Sequence, residues 1–278
     1  MRRSKGLRQF GRVTCVAITM LVSVVSASAQ SPPDPNTGAL TLTGGMDFTN
    51  AYFFRGIPQD DTEVIMQPHV DVGIGLSSGD GALKSVGVNV GTWNSLHTGS
   101  AGLDGPGKLW YESRFIATLG LGFGGGVSFG TTYTAYTSPN NAFNSVQEIA
   151  FKVSAGTLVR PYALLAVELK GQADGGATKG KYLELGVGPS LGVSGFTVTA
   201  PVKVGLSLGD YYEGSLGDER FGFLSAAGVL TKGISDGSRF GNWNIHGGVE
   251  FVRLGDRNEA ILGDSSKVIG SIGIGLSY

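Results

Sequence analysis

At 278 residues the chain is long enough for one large all-β domain or two small ones. Its formal charge of −1 conceals an asymmetry. Arg2, Arg3, Lys5, Arg8 and Arg12 are all in the leader, and without those five the 21 basic residues become 16 against 22 acidic ones, a net of −6. An acidic chain lacks the basic footprint of a nucleic-acid binder, and the one cysteine, Cys15, sits in the leader, so the rest has no disulfide or thiol chemistry.

Residues 1–29 read as a cleaved export signal. A basic start leads into the apolar run Val13 to Val25, and Ala27-Ser28-Ala29 gives a small-x-small cleavage pattern before Gln30. The competing reading is a single membrane anchor, which the shortness of the apolar run disfavours. Cys15 opens that run rather than following it, so a lipoprotein signal does not fit. Residues 30–39, with their SPPDPNTG stretch, are expected to be a disordered periplasmic tail.

From Leu40 to Tyr278 the hydrophobic period is two almost everywhere. The first segment puts Leu40, Leu42, Met46, Phe48, Tyr52 and Phe54 on one face and Thr41, Thr43, Asp47 and Thr49 on the other. Later segments repeat the scheme. Val70, Val72, Ile74 and Leu76 form one apolar face, and Val86, Val88 and Val90 the next. Tyr111, Phe115, Leu119 and Phe123 oppose Glu112, Arg114 and Thr118; Val127, Phe129 and Tyr133 oppose Thr132 and Thr134. Ile149, Phe151 and Val153 oppose Glu148 and Lys152. Leu165, Val167 and Leu169 oppose Glu168 and Lys170, and Leu183, Leu185 and Leu191 oppose Tyr182 and Glu184. Val202, Val204 and Leu206 oppose Lys203; Phe221, Phe223 and Val229 oppose Arg220; Trp243, Ile245, Val249 and Phe251 oppose His246 and Glu250. The closing VIGSIGIGLSY makes the twelfth segment.

Segments of this length, apolar on one face and polar on the other, suit a closed antiparallel transmembrane β-barrel of outer-membrane type. A sandwich would show shorter strands. Twelve strands are expected, with ten or fourteen as alternatives. Glycine, 47 residues in all, permits strong twist and close neighbours in such a wall. The connections alternate between short turns and long polar loops, as in a barrel with both termini periplasmic. Two of the nominal turns, SSGDGALK and KGISDGSRFG, are longer than that rule predicts.

Chemistry-bearing residues are sparse. His69, His97 and His246 are the histidines, and the parity aims His69 and His246 at the lumen, away from the outer face on which lipid-hydrolysing barrels carry their Ser/His pairs. No catalytic residue, cofactor or metal site is expected. The acidic loop residues Asp60, Asp61, Glu63, Asp218, Glu219, Asp256 and Asp264 either hold Ca²⁺ with lipopolysaccharide or simply solvate their loops. The inward charges say more, because an Arg or Lys facing lipid at the midplane would cost about 2–4 kcal/mol. Arg55, Glu112, Arg114, Glu148, Lys152 and Lys203 are the expected pore-lining residues of a lumen carrying both signs. Trp93 and Trp110 fall on the inward parity at the outer rim, where they serve as interface aromatics or as a sugar-stacking platform.

Two stretches resemble the TorF-type porin family of glycine-rich outer-membrane proteins. One is Tyr52-Phe53-Phe54-Arg55-Gly56-Ile57, similar to the family's tyrosine–x–aromatic–Arg–Gly–Ile motif. The other is Gly91-Thr92-Trp93-Asn94-Ser95, similar to its Gly-x-Trp-x-Ser motif, followed by Tyr111-Glu112 where the family tends to carry a glutamate. The likeness spans roughly residues 44–135, and the longer second gap departs from the family's habit. It implies Tyr52, Arg55, Gly56, Gly91, Trp93 and Ser95 as motif positions and a pore role without a known solute. The resulting expectation is passive diffusion of small hydrophilic solutes. Outer-membrane lipid, lipopolysaccharide and the barrel-assembly machinery, acting through the C-terminal strand, are the expected partners. The alternatives are a narrow non-conducting barrel and a lipid-modifying barrel enzyme.

Overall fold

In the computed structural model the described residues are 38–99, 101, 108–214, 217–235 and 240–278, so the expected export signal and most of the expected tail lie outside them. Twelve strands cross the barrel: β1 (Leu40–Thr49), β2 (Ile65–Ser78), β3 (Leu83–His97), β4 (Trp110–Phe123), β5 (Val127–Thr137), β6 (Val146–Ala155), β7 (Tyr162–Lys170), β8 (Lys181–Val187 resuming at Ser190–Val193), β9 (Phe196–Thr199 resuming at Val202–Gly209), β10 (Phe221–Gly233), β11 (Asn242–Leu254) and β12 (Ser266–Ser277). The main sheet has fourteen segments because Pro189 and Pro201, which lack an N–H for the ladder, each interrupt one strand.

Every strand pairs antiparallel with its neighbour in sequence, and β1 pairs with β12 to close the ring. At that seam Met46 lies opposite Ile274 and Phe48 opposite Ile272, apolar against apolar. Closure leaves the large sheet no free edge. The outward face carries Val70, Val72, Ile74, Phe115, Leu119, Phe151, Leu185, Leu224, Phe251 and Ile272, all exposed, which is a continuous apolar surface fit for lipid. Among the described residues no helix is long and apolar enough to cross a membrane. Among the described residues the one α-helix, α1 (Asp256–Leu262), is short, sits in the last long loop and ends at Gly263 with φ of 83°.

Two bulges alter the expected parity. Between β3 and β4, Ser95 faces Glu112 while Leu96 faces Trp110, so Tyr111 is an extra residue and turns inward. Trp110 consequently points outward, 42% exposed, while Trp93 is buried on the inner face. Between β9 and β10, Gly205 faces Phe223 while Leu206 faces Phe221, leaving Gly222 unpaired. Phe221 therefore faces lipid, whereas Phe223 and Val229, expected beside it, face the lumen. A third departure concerns Tyr52 and Phe54. β1 ends at Thr49, so these two do not continue its apolar face; they fold into the lumen on a hairpin of their own.

Candidate luminal site

The barrel has a loop end and a turn end. At the loop end the chain leaving β1 is turned by Asn50, whose side chain accepts from the Gly270 N–H at 2.8 Å. Tyr52–Phe54 then pairs with Ile57–Asp60 as a small hairpin. Its two-residue turn is Arg55-Gly56, with φ of 51° and 81°, the double positive-φ geometry of a type I′ turn. Glycine suits the second position for another reason: a Cβ on Gly56 would lie 2.7 Å from the Phe223 side chain.

Arg55 at the tip of this hairpin reaches across the lumen. Its guanidinium makes a two-pronged pair with Glu148, at 2.6 and 2.7 Å, donates to the Tyr211 hydroxyl at 2.7 Å and lies 4.3 Å above the Tyr182 ring. Tyr212 donates to the Arg55 carbonyl at 2.8 Å. Burial alone would push the guanidinium's pKa down, but Glu148 holds it well above its ordinary value, so the charge survives out of water. Burial pushes the Tyr211 phenol well up, which keeps it neutral beside Arg55.

Beside this pair stands a second one. Arg114 pairs with Glu112, donates to the Tyr52 hydroxyl and lies 4.0 Å above the Trp93 ring. Tyr52 in turn donates to Glu112 at 2.9 Å. Both arginines thus have a carboxylate, an aromatic face and a tyrosine hydroxyl, the set of partners a buried charge needs. The loop-side half of the lumen is packed by this cluster.

Toward the turn end the lumen opens into a cavity of about 490 Å³. Arg55 and Arg114 form its floor, and Lys152, Tyr162, Glu184, Lys203 and Glu250 form its wall. Taken in strand order around the wall, these four charges alternate in sign. Lys203 pairs with Glu250 at 3.5 Å, and Glu184 accepts from Tyr162 at 2.7 Å and Tyr182 at 2.6 Å. Lys152 lies 4.4 Å above the Tyr162 ring with no carboxylate within ion-pair distance among the described residues. On the opposite wall His246 meets Asp47 at 2.6 Å.

Of the six expected lining residues, Arg55, Arg114, Lys152 and Lys203 border this cavity. Glu112 and Glu148 sit behind it as counter-charges to the two arginines. Sequence reasoning placed Tyr182 on the inward face but missed Tyr211 and Tyr212, which pack against Arg55. The adjacent pair Tyr211-Tyr212 inside a polar loop was the available signal, since two neighbouring tyrosines have little reason to sit in a solvated loop. Four of the seven acidic loop residues, Asp60, Asp61, Asp218 and Glu219, are engaged within the chain. Asp60 bonds Thr62 and His97, Asp218 accepts from Ser207 and from the Tyr211 and Tyr212 amides, and Asp61 pairs with Lys267. No cluster of three or more metal-ligating side chains occurs among the described residues.

No family model matches this chain, and no curated protein does. Solved structures do. The outer membrane phospholipase A from Escherichia coli matches at 12% identity over 84% of this chain and 89% of that one, with a TM-score of 0.46. The NanC porin matches at 11% over 86% and 99%, TM-score 0.38. Salmonella typhi OmpF in complex with daunomycin matches at 9% over 86% and 97%, TM-score 0.42. The barrel assignment itself rests on the strand pairing described above.

Proposed function

We propose that this chain is an outer-membrane channel for passive diffusion of small hydrophilic solutes, with a lumen narrowed by the hairpin Tyr52–Asp60. The observation that carries the reading is the charged cavity, which runs along the lumen from the turn end and is bordered by the hairpin, Arg55 included. A wall of alternating ammonium and carboxylate groups orients polar solutes and excludes apolar ones. The long-loop end faces outward and both termini face the periplasm. The apolar outer surface meets lipid and lipopolysaccharide, and β12 engages the barrel-assembly machinery. Membership of the TorF-type porin family belongs to the same proposal. Its support is that Tyr52, Arg55, Gly56, Trp93 and Ser95 converge on the loop-side lumen.

A second reading, a narrow non-conducting barrel, is favoured by one observation: Tyr52, Phe54, Tyr211 and Tyr212 are all buried and fill the loop-side half. Planar-bilayer recording separates the two. Single-channel steps in the wild type, enlarged when residues 53–57 are replaced by a short glycine linker, support a channel throttled by the hairpin. A wild type without steps that acquires them only on hairpin removal assigns the plugged barrel. Absence of steps in both, with heat-modifiable gel migration intact, overturns the channel.

A further inference from the structure

Three polar side chains at the loop end belong neither to the cavity wall nor to the two arginine clusters. Ser95 and His97 are two residues apart on β3, so both project to the inner face, and each is 0% exposed. Ser95 Oγ lies 2.8 Å from His97 Nε2, and His97 Nδ1 lies 2.8 Å from Asp60 Oδ2. An ionised carboxylate only accepts, so the proton between His97 and Asp60 sits on Nδ1. Nε2 of the neutral ring is then free to accept the Ser95 hydroxyl proton. Asp60 is itself fixed, its Oδ1 accepting from the Thr62 amide at 3.0 Å and the Thr62 hydroxyl at 2.7 Å. Tyr111 stacks on the imidazole at 4.3 Å and 27°.

We propose that Ser95, His97 and Asp60 form a nucleophile, base and orienting acid that cleave small carboxylic esters. Nucleophile within hydrogen-bond reach of base, and base held by a third group, is the arrangement that activates a serine. Trp93, two residues before Ser95 on the same inner face, is 2% exposed and its indole N–H has no acceptor. It is a buried, unspent donor on the strand that carries the nucleophile, suited to the negative charge that grows on an ester's carbonyl oxygen. Access comes from the lumen through Tyr52. That ring borders the cavity and also contacts the Trp93 ring at 5.5 Å and the His97 ring at 5.9 Å, so it partitions solute path from triad. A swing of Tyr52 joins them.

In the reaction Ser95 Oγ bonds to the ester carbonyl carbon and its proton passes to His97 Nε2. The bond from that carbon to the alkoxy oxygen then breaks, and the alcohol leaves with the proton from Nε2. Water attacks the acyl-serine, gives a proton to Nε2, and releases the carboxylic acid as that proton returns to Ser95. The proposal does not rest on conductance, so a barrel that carries no current leaves it intact.

The test uses the whole detergent-solubilised barrel and a small alkyl fluorophosphonate. Ser95 Oγ bonds to phosphorus, the P–F bond breaks, and fluoride leaves while His97 takes the serine proton. Peptide mass spectrometry should find a single adduct on Ser95 that is absent in Ser95→Ala. His97→Gln should slow labelling by about 10²–10⁴-fold, the span of general-base assistance, and Tyr52→Ala should accelerate it. Hydrolysis of p-nitrophenyl acetate should be lost with Ser95→Ala. No adduct on Ser95 in wild type and in Tyr52→Ala, both still heat-modifiable, overturns the proposal. So does labelling that is indifferent to His97→Gln. If Tyr52→Ala does not assemble, the wild-type result decides.

Discussion

The two halves of the lumen are built on the same strands and the same alternation, yet they behave differently. Glu148 and Lys152 show why, because both are inward residues of β6, four positions apart. Glu148 lies where the hairpin reaches, and it is locked by Arg55 and Tyr136. Lys152 lies beyond that reach and stands over a tyrosine at the cavity wall. The lesson is that parity decides which charges enter the lumen, while the loops decide which of them stay exposed at the cavity.

The strongest way to break this contrast is to remove a partner from the packed half. Glu148→Leu leaves Arg55 buried without a counter-charge. It should cost about 3–5 kcal/mol of hairpin or barrel stability, read as a lower temperature for the heat-modified gel band. Next comes Gly56→Ala, which meets both a φ of 81° and the Phe223 ring. Overpacking and strain together should cost about 2–3 kcal/mol, exposing residues 52–60 to limited proteolysis, and Phe223→Ala should restore part of the protection.

In the open half the effects on stability are smaller. Lys203→Gln removes one partner of a partly exposed ion pair and should change stability by no more than about 1 kcal/mol. In a salt gradient it should nevertheless move the reversal potential toward cation preference, and an unmoved potential would place Lys203 off the ion path. The mildest test sharpens the anchoring of the hairpin by pH. Burial would raise the Asp60 pKa, but hydrogen bonds from Thr62 and His97 outweigh it and hold the group below its ordinary value. Its contribution is therefore fully present above the unfolded value of about 4 and disappears as pH falls through the lower folded one. Proteolytic protection of the hairpin should decline below about pH 5, and that part of the decline should be weaker in Asp60→Asn.

Much of this architecture was legible in the chain. The alternation located all twelve strands, and the contrast of short and long connections distinguished the barrel's two ends. What escaped had specific causes. The bulges at Tyr111 and Gly222 each insert one residue, and a period-two reading carried past such an insertion assigns Phe223 to the wrong face. Tyr52 and Phe54 continue the periodicity of β1, so nothing local signals that the strand stops at Thr49 and the chain folds inward. Ser95, His97 and Asp60 escaped because the acid lies 37 positions from the histidine, and only the hairpin brings them together.

The glycines of the inner wall have a consequence for bore. A Cβ on Gly273 would lie 2.2 Å from an Asp47 carboxylate oxygen and 2.4 Å from His246 Nε2, so the two side chains meet in the space that glycine leaves. At Gly205 the vacated volume holds the Phe223 ring, and at Gly186 it holds Tyr162. The wall thus accommodates luminal side chains within its own thickness, and they intrude less on the free cross-section. In barrels of fixed strand number, width is ordinarily tied to the ring's geometry. Here single methyl groups would set the calibre, which makes the internal dimensions of this protein adjustable one residue at a time without adding a strand.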